Sequence, residues 1–218
     1  MEKQVQISDS TINYEVFHRN IKYPRLEFKT GRLLLILPDN YKDYNDIVEK
    51  HKDWIHKQSS RIAKALEEAQ NKRLELRRTD EEFKKLFSSF VEDISYELKI
   101  NINGIYFRRM KSKWGSCSSN KNLTINTLLK YLPDYLIEYV IFHEMVHLIE
   151  RKHNDHFWKI IASRFDNYEE IEKELFEYWF LIQERIKSIQ SEGNMYNNLP
   201  HVTDETESSR CRSIPDGE

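Results

Sequence analysis

The chain is poor in several things, and each shortage excludes something. It has two cysteines in 218 residues, Cys117 and Cys211, far apart. That is no disulfide framework, and a reducing compartment is expected. It has almost no net charge, −2 at pH 7, so no global attraction to nucleic acid or to an anionic membrane is implied. No apolar run approaches the ~20 residues of a membrane-spanning helix. The opening residues Met1-Glu2-Lys3-Gln4-Val5 contain no apolar stretch of the kind a signal peptide needs. There is no internal repeat. These absences predict a soluble protein of the cytoplasm that touches no membrane.

What is present suffices for a core: 39% of residues are apolar and 32% charged. The length fits one domain of ordinary size, or one with an appendage. Residues 4–18 and 25–37 read as strands of a small N-terminal antiparallel sheet. Val5, Ile7, Ile12, Tyr14 and Val16 alternate around a turn at Ser8-Asp9-Ser10, and Leu33 to Leu37 is continuously apolar. Residues 41–77 then predict one long connecting helix, ending in a basic stretch from Lys72 to Arg78 that reads as a solvated helix end. Thr79-Asp80-Glu81-Glu82 is a capping box, so a new helix starts there and runs to about residue 99. Residues 105–111 and 123–126 predict the strands of a hairpin. Pro133 then opens a greasy helix that runs to about Arg151. Asn154 is a plausible cap for a helix to about Arg164. A last amphipathic helix, about 168–188, has an apolar stripe reaching Ile186 and Ile189. From Ser191 the composition is too polar to fold alone. The expected organisation is therefore 1–78, 79–190 and a tail over 191–218.

The chemistry concentrates in His143-Glu144-Met145-Val146-His147, with a third histidine, His153, six residues on. One helical turn separates positions 143 and 147, so both imidazoles can reach one ion while Glu144 leans toward its open side. A zinc hydrolase needs such a set: neutral nitrogen ligands, a vacant coordination position, and a carboxylate to take a proton. A chance H-E-x-x-H is expected roughly a few times in a hundred such chains. Here, however, it lies in the apolar helix Leu136 to His143. Two histidines and a glutamate buried together without a metal would be costly. His153 cannot ligate by extension of the helix, because six residues turn through about 600°. The chain must bend near Arg151-Lys152. In metzincins a glycine makes that bend; here the position is Glu150.

Three segments together, Arg109 to Ser118, His143 to His147 and His153 to Trp158, resemble the YgjP-like metal-dependent hydrolases, relatives of the SprT-like and WLM zinc proteases. Trp54-Ile55 is a weaker match. The resemblance covers most of residues 4–185. It implies an α+β, zincin-like metallopeptidase domain binding one Zn2+ per chain through His143, His147 and His153, with Glu144 as general base. Relatives show H-S-x-x-F-W where this chain has His153-Asn154-Asp155-His156-Phe157-Trp158, which adds a fourth local histidine. His156, or a last-helix glutamate such as Glu170 or Glu174, is therefore an alternative third ligand. Arg109, Lys111, Lys113, Trp114, Gly115 and Ser116 are candidates for the substrate side, where a strand edge could add an extended peptide. Cys117, with no CxxC partner, reads as a half-buried side chain. The expected activity is peptide-bond hydrolysis on a peptide or protein. Alternatives are a zinc phosphohydrolase acting on a nucleotide, or a non-catalytic module associated with nucleic acid, although near-neutral charge argues against nucleic acid as the sole partner.

Overall fold

The computed structural model describes residues 2–7, 10–29, 31–41 and 44–195. Ser8 and Asp9 of the expected turn, Cys211, His201 and the tail beyond Met195 lie outside those residues, as does the side chain of Ile189. The chain divides into two compact units, Met1–Lys72 and Arg73–Glu218.

In the first unit, β1 (Glu2–Ile7), β2 (Ser10–Arg19), β3 (Arg25–Lys29) and β4 (Arg32–Pro38) form a sheet in the order β1-β2-β4-β3. The two hairpins are antiparallel, but they meet through β2 and β4, which run parallel with Tyr14 opposite Leu33. The sheet is thus mixed, where the sequence predicted an antiparallel one. Alternation of apolar side chains sets which face of a strand is buried and is silent about its neighbour's direction. β4 has strands on both sides, and Leu33 to Leu37 are all buried, as a two-sided apolar run requires.

The long helix predicted over 41–77 is two shorter ones, α1 (Asn45–Lys50) and α2 (Lys52–Ala69). His51 breaks the run at φ −111°, ψ 14°, and its Nδ1 donates to the Ile47 carbonyl at 2.7 Å. A side chain that satisfies a backbone carbonyl competes with the helical ladder. Beyond Ala69 the chain is no longer helical. Arg78, expected to be solvated, donates to the carbonyls of Lys130 at 3.0 Å and Leu132 at 2.7 Å and pairs with Asp134. It ties the entry of the second unit to the start of a core helix.

The second unit begins with α3 (Asp80–Leu98), capped by Thr79 and Glu82 in the reciprocal manner its sequence announces. Its sheet holds β5 (Gly104–Arg108), β6 (Gly115–Cys117) and β7 (Asn122–Asn126) in the order β5-β7-β6. The hairpin is β6–β7, and β5 pairs with β7 in parallel on the other side. Residues 109–114 are an irregular connection, held by fully buried Asn126. Its side-chain amide donates to the carbonyls of Met110 at 3.0 Å and Lys113 at 2.8 Å, and its oxygen accepts from the N–H of Leu128 at 3.2 Å. A 3₁₀ turn, Thr127–Tyr131, leads to α4 (Asp134–Val146), whose residues Leu136, Ile137, Ile141, Phe142, Met145 and Val146 are wholly enclosed. Around it lie α3, α5 (Asp155–Arg164) and α6 (Tyr168–Met195). Arg164 bridges three helices by pairing with Glu97 and Glu138. α6 continues through Met195, past the expected end near 188.

Candidate active site

α4 stops at Val146, earlier than the sequence predicts, so His147 is already its cap. The last turn tightens: the N–H of Leu148 donates to the Met145 carbonyl, and those of Ile149 and Glu150 both donate to Val146. No residue between 147 and 153 has positive φ. In place of a glycine, the Glu150 carboxylate accepts from the N–H of Lys152 at 3.0 Å and holds the bend. Asn154 then caps α5 by accepting from the N–H of Phe157 at 3.0 Å.

This bend brings His153 back over the helix. Its Nε2 lies 3.1 Å from Nε2 of His143 and 3.1 Å from Nε2 of His147. Four ligands about 2.0–2.1 Å from a zinc ion stand roughly 3.3 Å apart, so the observed spacing suits one shared cation. His147 donates through Nδ1 to the Glu150 carbonyl at 3.2 Å, which leaves its Nε2 as a lone pair facing the cluster. Nitrogens so placed need either a shared proton or a cation between them, and the donor set of three imidazoles fits a divalent transition metal. Burial holds His147 and His153 below the ordinary imidazole value, which favours the neutral, ligating form.

Aromatic rings enclose the cluster. Fully buried Phe157 stacks on His147 at 4.7 Å and meets His143 edge-on at 5.0 Å, while Trp158 stacks on His153 at 5.5 Å. Behind His143 stands Glu172 of α6, a residue the sequence did not single out. Its Oε1 is 3.3 Å from His143 Nδ1, a poorly aligned and therefore mainly electrostatic contact, and accepts from the Tyr139 hydroxyl at 2.7 Å. Burial pushes the Glu172 carboxyl up, but the His143 ring and the Tyr139 hydroxyl outweigh it, and the net displacement is downward. Helical phase places both Glu172 and Glu174 beside the apolar stripe of α6, so no sequence signal separates them. Glu174 instead accepts from the Tyr135 hydroxyl at 2.5 Å, Glu170 is exposed, and His156 is exposed with its Nδ1 3.9 Å from Glu150. None of these three belongs to the cluster of His143, His147 and His153.

Glu144 lies against β6. A Cβ added to Gly115 would come within 2.7 Å of Glu144 Cγ and 3.0 Å of its Oε1, so the missing side chain is what leaves room for the carboxylate. Burial raises the Glu144 carboxyl above its ordinary value; the charges of His143 and Lys113 and the backbone N–H of Cys117 offset this only in part. Cys117 itself is half-buried, and burial together with the Glu144 charge pushes its thiol up to about 11, which keeps it from acting as a thiolate.

The three histidines and Glu144 open onto a cleft of about 600 Å³ that is also lined by Lys113, Gly115, Ser116 and Arg151. Of the substrate-side candidates, Lys113, Gly115 and Ser116 line it, whereas Arg109, Lys111 and Trp114 do not. Arg109 and Lys111 are exposed, and Trp114 packs edge-on against Trp179 at 4.9 Å. Lys121 and Arg151, which the sequence did not bring into the site, do line the cleft.

Solved structures similar to part of the chain include the metallopeptidase zymogen of Pyrococcus abyssi abylysin, with 20% identity, 41% of this chain and 90% of that chain covered, and a TM-score of 0.38. Another is the metallopeptidase zymogen of Methanocaldococcus jannaschii jannalysin, with 24% identity, 42% and 88% covered, and a TM-score of 0.38. No curated protein matches the chain. Among the described residues, no helix is long and apolar enough to cross a membrane. The family model described as YgjP-like, metallopeptidase domain, matches residues 64–178, from the end of α2 through the bend at His153 to the middle of α6, and the chain belongs to that family.

Proposed function

We propose that this protein is a zinc-dependent peptidase in which His143, His147 and His153 hold the ion and Glu144 is the general base. The observation that carries the reading is the meeting of three imidazoles, with His153 Nε2 3.1 Å from Nε2 of both His143 and His147, beside the half-enclosed Glu144 carboxylate. When bound, the metal supplies Lewis acidity, lowering the pKa of a water and polarising a substrate carbonyl.

The chain's own residues do the rest. Glu144 accepts a proton at its carboxylate as water attacks the carbonyl and returns it to the leaving amine. Glu172, held by the Tyr139 hydroxyl, places its charge behind the ring of His143, and the Glu150 carbonyl fixes that of His147. Phe157 keeps water from the back of the cluster. β6 is an edge strand, so an extended substrate can add to it by main-chain hydrogen bonds and run past Glu144.

The family is one of metallopeptidases, and the nucleotide-cleaving alternative has no support in it. The basic arm expected to serve a nucleic-acid module ends in Arg78, which is committed to backbone carbonyls and Asp134.

The test is elemental analysis of never-chelated protein, paired with turnover of casein-type peptides. Wild type should hold one zinc per chain and cleave, Glu144→Gln should keep zinc and lose about 10²- to 10⁴-fold in rate, and His153→Ala should lose zinc where His156→Ala does not. Protein without stoichiometric metal, or undiminished cleavage by Glu144→Gln, would sink the proposal.

A further inference from the structure

The cleft beside the histidine cluster has an unbalanced lining. Lys113, Lys121 and Arg151 come from three different segments: the connection before β6, the β6–β7 turn and the bend after α4. None of the three stands within ion-pair distance of a carboxylate among the described residues, although the charge of Lys113 is felt by Glu144. Arg78, Lys130 and Arg164 of the same unit are matched, with Asp134, with Asp80 and with Glu97 and Glu138, and what sets Lys113, Lys121 and Arg151 apart is that they line one cleft together. Glu144 is the sole acidic side chain in the lining. A cleft walled by one sign of charge concentrates ligands of the other, and an arginine fork matches a carboxylate in geometry as well as charge. Ser116, Ser118 and Ser119 add hydroxyl donors along the same wall.

We propose that the cleft selects an anionic peptide, with a substrate carboxylate held by Lys113, Lys121 and Arg151 close to the bond that is cut. The proposal rests on the peptidase reading for its chemistry, but the lining that carries it is independent of turnover. The carboxylate has two possible sources, an aspartate or glutamate side chain or the end of the substrate chain.

Binding decides it, measured on zinc-loaded Glu144→Gln so that nothing is cut. The ligands are end-capped octapeptides carrying two central glutamates, two glutamines or two lysines, together with the glutamine peptide bearing a free C-terminal carboxylate. The capped glutamate peptide should bind at least about tenfold more tightly than its glutamine counterpart at low salt and weaken several-fold at 0.5 M salt. In that background Lys113→Gln, Lys121→Gln and Arg151→Gln should each weaken the glutamate peptide about three- to fivefold and leave the capped glutamine peptide unchanged. If the uncapped glutamine peptide matches the glutamate peptide, the proposal stands with the chain end as the anion. Equal affinities across all four peptides, an equal loss for charged and neutral peptides in the variants, or tighter binding of inorganic pyrophosphate would overturn it. A wild-type protein that cleaves no peptide would count against the peptidase reading alone, since these affinities do not depend on cleavage.

Discussion

The two units of this chain enclose polar groups to different degrees. The core of the first unit, Val5, Ile7, Tyr14, Val16, Leu33, Leu35, Leu37, Val48 and Ile55, is made of apolar side chains with one phenol among them. Among the described residues, the polar or charged residues that are fully buried, Asn126 and Glu177, belong to the second, as do His143, Glu144 and Glu172 of the candidate site, while the first encloses single polar atoms at Ser59 and Glu68. Burying such groups costs free energy unless each finds a partner. Asn126 recovers that cost with four hydrogen bonds, counting the 3.3 Å bond from the Met110 N–H, and holds the strand connection that carries Lys113. The histidines recover it through a carbonyl, a carboxylate and, as proposed, an ion. The candidate site lies in the unit that encloses more of its polar groups.

That contrast can be broken experimentally. The largest effect is expected in the second unit: His153→Ala should weaken zinc binding by roughly a hundredfold or more, since one of three protein ligands carries a sizeable share of the binding free energy. Chelator competition reads this directly, and an unchanged affinity would remove His153 from the ligand set. Next, Leu35→Ala in the first unit should cost about 3 kcal/mol of stability, because the side chain is fully enclosed. Denaturant unfolding gives the loss. If zinc affinity fell with it, the two units would not be separable in the way their cores imply. Glu172→Gln is subtler. It keeps the shape of the side chain but removes the charge behind His143, and zinc affinity should drop about 10- to 100-fold with little change in unfolding midpoint.

The smallest effect is on pH dependence. His147 and His153 lie below the ordinary imidazole value of 6.5. At these two rings protons therefore compete with the metal only once the pH falls through that lowered range. Zinc affinity should stay nearly flat from pH 7.5 to about 6.5 and decline below it. A tenfold loss already complete at pH 6.5 would contradict the burial that depresses these rings.

Much of this site is legible in the sequence. The H-E-x-x-H spacing, the capping box at Thr79 and the Asn154 cap are local, and short-range sterics and hydrogen bonds make local features readable in order along the chain. The need for a bend before His153 followed from helical geometry alone. What could not be read was how the bend is made. Glu150 performs it by accepting a backbone N–H, and α4 ends a full turn earlier than its apolar run suggests. Arg78 was misread for a similar reason: a basic run looks solvated until the carbonyls of Lys130 and Leu132 are found beside it.

By itself, then, the sequence determined the donor atoms, their helical phase and the apolar setting that makes an unpartnered cluster of them costly. Tertiary structure alone decided which glutamate stands behind His143, why position 115 has no side chain, and which cations face the cleft. Each of those depends on elements far apart in the chain, α4 with α6 or with β6, and their meeting is fixed by packing of the whole unit, which no local spacing encodes.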